Sequence, residues 1–456
     1  MFNKIKKNKE IFNWIYPRIY VLLALFVDSS LFLIFIVKST DDISLTNINT
    51  FLILISWIII SYIFGRYSDY NNNNLINLSN QSFKLIILYF FLNLVKGIFF
   101  IFYTIDNQLL IFRNFNLFYL YYASISLIGL MTINILIFKR KNKYKNIYFM
   151  GSDNDFNILK ENIYLKKDNL NLSKIDINKF ESFNLEDINF KNKSLLIVSN
   201  NYNFSSSELD FFKKIKKKNI VVYGLVNWLD KEYQLIPSEL ISDIDLVTDN
   251  INKINKPIQM RLKRIGDLLI SGFLLLALSP LIVISCLFIY LEDGNPIFYS
   301  QIRSGLNQEP IRIYKLRTMY RNAEKNGAQW SSENDTRLTK CGKILRRIRI
   351  DELPQLLSVM TGEMSLIGPR PERPSLEQEL KREIPFYEYR YSIKPGLSGW
   401  AQVNYPYGAS LKDTQIKLSY DFYYIKNYSF FLDVLIFLKT IKLVLNAKGA
   451  IAKNQT

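Results

Sequence analysis

Histidine is absent from all 456 residues of this chain. That excludes imidazole general bases, serine–histidine triads and His-ligated zinc, leaving carboxylates, Lys, Arg, Tyr or a hard metal ion for any chemistry. Cysteine is scarce as well. Cys286 and Cys341 do not amount to a disulfide framework, and Cys286 sits in an apolar run as a small hydrophobe. Acidic residues are the minority charge, 40 against 58 Lys and Arg, for a net charge of +18. In their place stand 33 Phe, 29 Tyr and several long apolar runs. A basic excess can face nucleic acid, anionic lipid or phosphorylated substrates. The apolar runs favour lipid and phosphate, and no nucleic-acid partner is expected.

The first apolar run spans about 19–37, after a basic start, MFNKIKKNKE. No small-residue cleavage site follows it, and further runs do, so a membrane helix is preferred to a cleaved signal peptide. The others cover about 48–64, 83–105 and 116–138, each near the length that crosses a ~30 Å hydrocarbon core. Asp28, Lys84 and Lys96 inside them are expected to snorkel or to face neighbouring helices. Residues 1–18 carry five Lys/Arg and KRKNKYKN from Lys139 carries five more, while the intervening outer loops hold about one each. The positive-inside rule then puts both ends of a four-helix region, 1–145, in the cytoplasm.

Between 146 and 255 the composition turns polar, with β-like runs NIYFM, SLLIVSN and NIVVYGL separated by polar stretches. That alternation predicts a small Rossmann-like α/β module with a parallel sheet. A dinucleotide fingerprint needs three spaced glycines; residues 146–249 offer only Gly151 and Gly224, and no Tyr-x-x-x-Lys pair. A structural or regulatory module is therefore preferred to a cofactor-using one.

The remainder, 256–456, opens on a basic stretch and then LLISGFLLLALSPLIVISCLFIY, Leu268–Tyr290. Taken alone this is a spanning helix, and its flanks agree: five Lys/Arg between Lys253 and Arg264, none after it until Arg303. Spanning would place everything downstream outside the cell. Pro280 opposes this by removing a backbone donor, and Ser279 beside it has a hydroxyl to satisfy the freed carbonyl. A bend at Ser279–Pro280 would make residues 265–290 a re-entrant helix that dips into one leaflet and returns. Near the C-terminus, FFLDVLIFLKTIKLVL is interrupted by Asp433, Lys439 and Lys442, and reads as an interfacial amphipathic helix or a core helix.

The densest chemistry lies between Gln301 and Gln402. Asp351 and Glu352 are adjacent carboxylates preceded by Lys343, Arg346, Arg347 and Arg349. Two neighbouring anions repel, so the pair calls for a cation, and Mg²⁺ held by carboxylate and substrate phosphate meets that need. Arg303, Lys315 and Arg317 are candidates for cationic walls around a diphosphate. Pro369 and Pro371 flank Arg370 in a GPRP turn that should present the guanidinium to substrate. In KPGLSGWAQ, Gly396, Gly399 and Gln402 point to close backbone approach near a nucleotide, and Trp400 to an interface anchor or core packing.

The segments QIRSG, YKLRTM, DELPQL, GEMSLIGPRP and KPGLSGWAQVN, in this order, resemble the bacterial sugar transferase family over about 261–448. The four apolar helices and α/β module are similar to its larger, polytopic members, the polyprenyl glycosylphosphotransferases. The resemblance implies an enzyme that moves a sugar-1-phosphate from a UDP-sugar donor to undecaprenyl phosphate, the priming step of exopolysaccharide, O-antigen or capsule synthesis. It implies Asp351 as nucleophile and Mg²⁺ ligand, UMP as the leaving group, Glu352 orienting the acceptor or taking its proton, and Arg346 on phosphate. Because the nucleotide sugar is cytoplasmic, it also implies a multi-pass protein of the bacterial inner membrane with its catalytic domain on the cytoplasmic face. A homo-oligomer is allowed for, but not specified. The chain departs from the family at Ser358, where Asn is common, and at Gly294-Asn295-Pro296, which carries an insertion. A catalytically silent membrane scaffold and a membrane-tethered oxidoreductase are the competing classes.

Overall fold

The computed structural model describes residues 19–39, 146–165, 171–175, 194–200, 221–243, 257–321, 335–406 and 410–445. Isolated positions are described at 54–61, 121–129, 245 and 323. The span expected at 83–105, and most of those at 48–64 and 116–138, lie outside these residues. The chain divides into two compact units, one made of Met1–Ile147 with Asn184–Leu195, the other of Tyr148–Phe183 with Leu196–Thr456.

In the first unit, helix α1 (Ile19–Ser39) is mostly apolar, and Asp28 is its one acidic residue. That carboxylate is fully buried and faces neighbouring segments. Tyr122 Oη (2.7 Å) and Ser126 Oγ (2.5 Å) donate to its Oδ1, and Trp57 Nε1 (3.1 Å) to its Oδ2. Phe32, one turn along, stacks on Trp57 with ring centroids 4.3 Å apart.

A four-stranded sheet has the order β2-β1-β3-β4, from β1 (Asn146–Met150), β2 (Asn171–Lys174), β3 (Ser194–Val198) and β4 (Val221–Gly224). Helix α2 (Asp153–Leu165) follows β1 through Gly151, where a side chain would collide with Ser199 and Phe149. Asp153 and Asp155 occupy the first turn of α2, favoured there by the helix dipole, and engage Lys174 and Ser199. A dinucleotide phosphate at this helix start would meet like charge. After β4 the chain makes short helical turns, then Ile236 and Ile241 join a core with Leu380, Ile384, Tyr387, Tyr391, Leu418 and Phe422.

Helix α3 runs from Pro257 to Asp293, eight residues earlier and three later than the expected 265–290. It is the one described helix long and apolar enough to cross a membrane. Leu269, Phe273, Leu276, Val283, Phe288 and Leu291 are exposed on it, so it is not the core helix of a soluble domain. The helix continues through Ser279 and Pro280, without the break expected there. Pro280 leaves the carbonyl of Leu276 without its helical donor, and Ser279 Oγ supplies one at 2.9 Å.

Strands β5 (Phe298–Ser304) and β6 (Pro310–Leu316) form an antiparallel hairpin, Phe298 opposite Leu316 and Ser304 opposite Pro310. Helix α4 (Lys340–Arg347) is capped by Thr339 Oγ1 and by the Glu292 carboxylate at the end of α3. Asp351 and Glu352 lie on a 3₁₀ turn, Ile350–Gln355, that leads into α5 (Leu356–Thr361). Then come β7 (Ser365–Ile367), α6 (Pro374–Glu383), β8 (Gly396–Ser398), α7 (Trp400–Asn404), α8 (Leu411–Lys426) and α9 (Phe430–Leu445). Strands β7 and β8 pair in parallel, Ser365 beside Gly396 and Ile367 beside Ser398. Asp433 of α9 is buried against Lys263 (2.8 Å) and Tyr424 Oη (2.6 Å), which makes α9 partly a core helix.

Candidate functional site

Asp351 and Glu352 line a cavity of about 470 Å³ together with Arg303, Lys315, Arg317, Arg346, Arg349, Arg370 and Gln402. Sequence-predicted residues from five separate segments therefore converge on one space. The 3₁₀ turn is preceded by Arg349, a non-glycine residue in the left-handed region (φ 60°), and both carboxylates are buried on this turn. Such a conformation is strained, and strain of this kind is tolerated where a site needs it.

The two acids differ sharply in their surroundings. Glu352 is held by three cations: Arg370 Nη2 (2.7 Å) and Lys315 Nζ (2.8 Å) on Oε1, and Arg349 Nη1 (3.4 Å) on Oε2. Burial would raise its pKa, but Arg370, Lys315 and Arg349 outweigh burial and hold it well below the carboxylate range. Asp351 makes no ion pair or hydrogen bond among the described residues. Burial first, then the charge of Glu352, pushes it up to about 6. Lys315 is displaced downward by its own burial, against the pull of Glu352.

The remaining cations divide into those that face the cavity and those that also build it. Arg346 is steered by a 2.8 Å bond from Nε to Thr318 Oγ1. Arg317 is committed to the end of α3, donating to the carbonyls of Asp293 (3.1 Å) and Gly294 (2.7 Å). Arg303 donates to the Pro371 carbonyl (3.2 Å) and lies 3.6 Å from Glu372. Pro369 and Pro371 are not among the lining residues. Their carbonyls accept from Gly396 N (2.9 Å) and Arg303, so they fix the turn that carries Arg370.

The glycines explain why that turn sits where it does. A side chain on Gly368 would strike the backbone of Lys394 and Gly396; one on Gly396 or Gly399 would strike the backbone of Gly368. The close approach expected of Gly396 and Gly399 is thus to a second strand of the protein itself. Trp400 is buried, donates through Nε1 to Gln234 O (3.0 Å) and stacks on Tyr423, which makes it a core residue rather than an interface anchor. Beneath the turn, the buried Arg390 donates to the Arg370 carbonyl (3.0 Å), to Asp421 Oδ2 (3.1 Å) and to Tyr387 Oη (2.5 Å).

Arg349, Glu372, Arg390, Lys417 and Asp421 were not singled out as site residues by sequence reasoning. Arg349 stood inside a basic run that offered no way to rank its members. The i, i+3, i+7 spacing of Thr414, Lys417 and Asp421 was a readable signal, since it puts all three on one helical face.

For a divalent cation, the donor set is one uncommitted carboxylate, Asp351. No cluster of three or more acidic or Cys ligands exists among the described residues. That fits Mg²⁺, which is commonly held by one or two carboxylates and completed by substrate phosphate and water. It does not fit a closed all-protein metal cage.

Among the described residues, a buried carboxylate without an ion-pair partner, set among several cations, is an arrangement that suits phosphorylated groups. The model of the bacterial sugar transferase family matches residues 258–447, and the chain belongs to that family. Over 194 residues it is 47% identical to a UDP-N-acetylgalactosamine-undecaprenyl-phosphate N-acetylgalactosaminephosphotransferase of Aeromonas hydrophila. That match covers 42% of this chain and 46% of the relative, just under half the relative's length. It is 39% identical to the uncharacterized sugar transferase EpsL of Bacillus subtilis over 194 residues, 42% of this chain and 90% of the relative. It is 34% identical to the UDP-glucose:undecaprenyl-phosphate glucose-1-phosphate transferase of Escherichia coli over 182 residues, 40% of this chain and 39% of the relative.

Proposed function

We propose that this chain transfers a sugar-1-phosphate from a UDP-sugar to undecaprenyl phosphate, as the priming step of a surface polysaccharide. The observation that carries this reading is the inequality of the acidic pair: among the described residues, Glu352 is bound by three cations and Asp351 by none. Asp351 is then the nucleophile. Its carboxylate oxygen attacks the β-phosphorus of the donor, the bond to the bridging oxygen breaks, and UMP leaves with that electron pair. An oxygen of the lipid phosphate next attacks the phosphosugar ester, releasing Asp351 and forming the lipid diphosphate sugar. Lys315, Arg346, Arg349 and Arg370 bind the phosphates and counter the charge that develops on them. Held ionised by its partners, Glu352 orients Lys315 and Arg370 and is a poor proton acceptor. Mg²⁺, bound by Asp351 and the donor diphosphate, would supply further charge neutralisation.

In this reading α3 is re-entrant and keeps the site on the cytoplasmic side, and its anchoring supports that. Both ends of α3 are fastened to the same unit: Lys263, Arg264 and Asp267 bond to the segment 359–367, while Glu292 caps α4. A spanning helix would hold its ends about 30 Å apart on opposite faces of the bilayer.

The test is UMP release from a panel of UDP-sugars by the full-length protein in lipid, with and without Mg²⁺ and undecaprenyl phosphate. Asp351→Asn is expected to abolish release. Full activity in that variant would overturn the mechanism, and no release from the unaltered protein with any donor would favour a silent scaffold.

A further inference from the structure

One face of α8 enters the cavity although it lies outside the acidic-pair, GPRP and KPGLSGWAQ segments. Thr414, Lys417, Leu418 and Asp421 all line it, at the i, i+3, i+4 and i+7 spacing of a single helical stripe. The stripe deepens along its length, from half-buried Thr414 and Lys417 to buried Leu418 and Asp421. Its chemistry differs from that around the acidic pair. There, Lys315, Arg346, Arg349 and Arg370 gather around two carboxylates. Here Thr414, Lys417 and Asp421 line the cavity with Glu372, Arg373 and Tyr405; the Thr414 hydroxyl donates to the Ser410 carbonyl (3.0 Å) and keeps its lone pairs, and the charge of Glu372 acts on the Lys417 ammonium. A surface of alternating donors and acceptors suits hydroxyl, amide or imide groups, which carry no net charge. The stripe is also held in register with the phosphate-binding end. Asp421 pairs with Arg390 (3.1 Å), and Arg390 donates to the carbonyl of Arg370 (3.0 Å). Tyr405 Oη donates to Asp413 (2.9 Å), and the Ser410 capping box fixes the helix start.

We propose that Thr414 and Lys417 on α8 form a donor-selectivity wall, hydrogen-bonding the uncharged part of the nucleotide sugar, with Asp421 as the positioning residue that sets the wall relative to Arg370. This rests on the transferase reading above and extends it to residues with no role in the phosphoryl chemistry. The uncharged groups belong either to the uridine or to the sugar, and both are polyhydroxylated.

Thr414→Val and Lys417→Met remove the polar groups and keep much of the bulk. With UDP-N-acetylgalactosamine and UDP-glucose as probes, each variant should raise donor KM roughly tenfold, the loss expected for one hydrogen bond to a charged or well-placed polar group. The KM for undecaprenyl phosphate should not change. If inhibition by UDP weakens in parallel, the wall reads uridine. If UDP inhibition holds while the preference between the two donors shifts, it reads the sugar. Donor KM and preference both unchanged in both variants would overturn the proposal, as would a change confined to the lipid acceptor. Calorimetric titration of the same UDP-sugars reads the wall without turnover. Wild-type binding with no UMP release would sink the transferase reading alone; equal affinity in wild type and both variants would sink the wall alone; absence of binding in the wild type would sink both.

Discussion

Asp351 and Glu352 are chemically near-equivalent neighbours, and the fold makes them unlike. The cations contributed by β6, the 3₁₀ turn and the GPRP turn all settle on Glu352, leaving Asp351 buried with a raised pKa. A carboxylate whose folded pKa lies above its unfolded value destabilises the protein once pH exceeds the unfolded value. The penalty is complete above the folded value near 6 and disappears at low pH. Asp351→Asn should therefore unfold at a higher temperature than wild type at pH 8, in Mg²⁺-free buffer. The gain should shrink as pH falls through 6 toward 4. Equal unfolding temperatures across that range would contradict the burial described for Asp351. Arg390 is the opposite case, a buried cation whose partner is a buried anion. Arg390→Leu strands Asp421 and the Arg370 carbonyl, and should cost about 3–5 kcal/mol in chemical unfolding. Removing Asp421 as well, as Leu, should recover part of that loss, because the stranded charge is gone. Sequence alone picked out the acidic pair by its place after a basic run. It could not divide the labour within the pair, because that depends on which distant cations fold onto which carboxylate.

At the scale of elements, the site depends on a short parallel pairing, β7 with β8, that brings the GPRP turn beside the KPGLSGW segment. Three glycines allow it. Their motifs were legible, but the reason was not, since the close approach is between two stretches of backbone almost thirty residues apart in the chain. Gly396→Ala should separate the strands, displace Arg370, and reduce both UMP release and thermal stability. Gly272 is the matched control: it lies in α3 with no atom within 4 Å of where a side chain would begin. Gly272→Ala should leave activity intact and favour the helix slightly, by up to about 1 kcal/mol. Equal effects at the two positions would mean that β7–β8 apposition does not set the site. The long helix shows the same partial legibility. Its apolar length and the pairing of Ser279 with Pro280 were readable, whereas its start at Pro257 was masked by basic residues that turn out to bond with the segment 359–367.

At the scale of the molecule, charge counting and tertiary structure give conflicting topologies. The Lys/Arg excess before α3 and its lack afterwards would carry the residues that follow α3 across the bilayer. The tertiary bonds at both ends of α3 oppose that, because one unit cannot be fastened to both ends of a helix that crosses from face to face. The N-terminal ties are polar and partly buried: Lys263 with Asp433, Asp267 with Ser365 Oγ (2.8 Å) and Leu366 N (3.1 Å). At the other end Ile289 packs with Leu316, Leu345 and Ile350, and Glu292 caps α4. Breaking the N-terminal set to insert a straight spanning helix would leave Asp433 buried without Lys263 and Asp267 buried without Ser365 and Leu366, at several kcal/mol. The charge rule orients segments by their flanking loops, and it loses force when the downstream flank folds back onto the upstream one. Single cysteines introduced at exposed Glu309, after α3, and at exposed Arg261, before its apolar stretch, report the outcome directly once Cys286 and Cys341 are replaced by Ser. In intact cells both should resist a membrane-impermeant maleimide, and both should label after lysis. Labelling of position 309 but not of position 261 in intact cells would establish a spanning helix and remove the acidic pair from the cytoplasmic face.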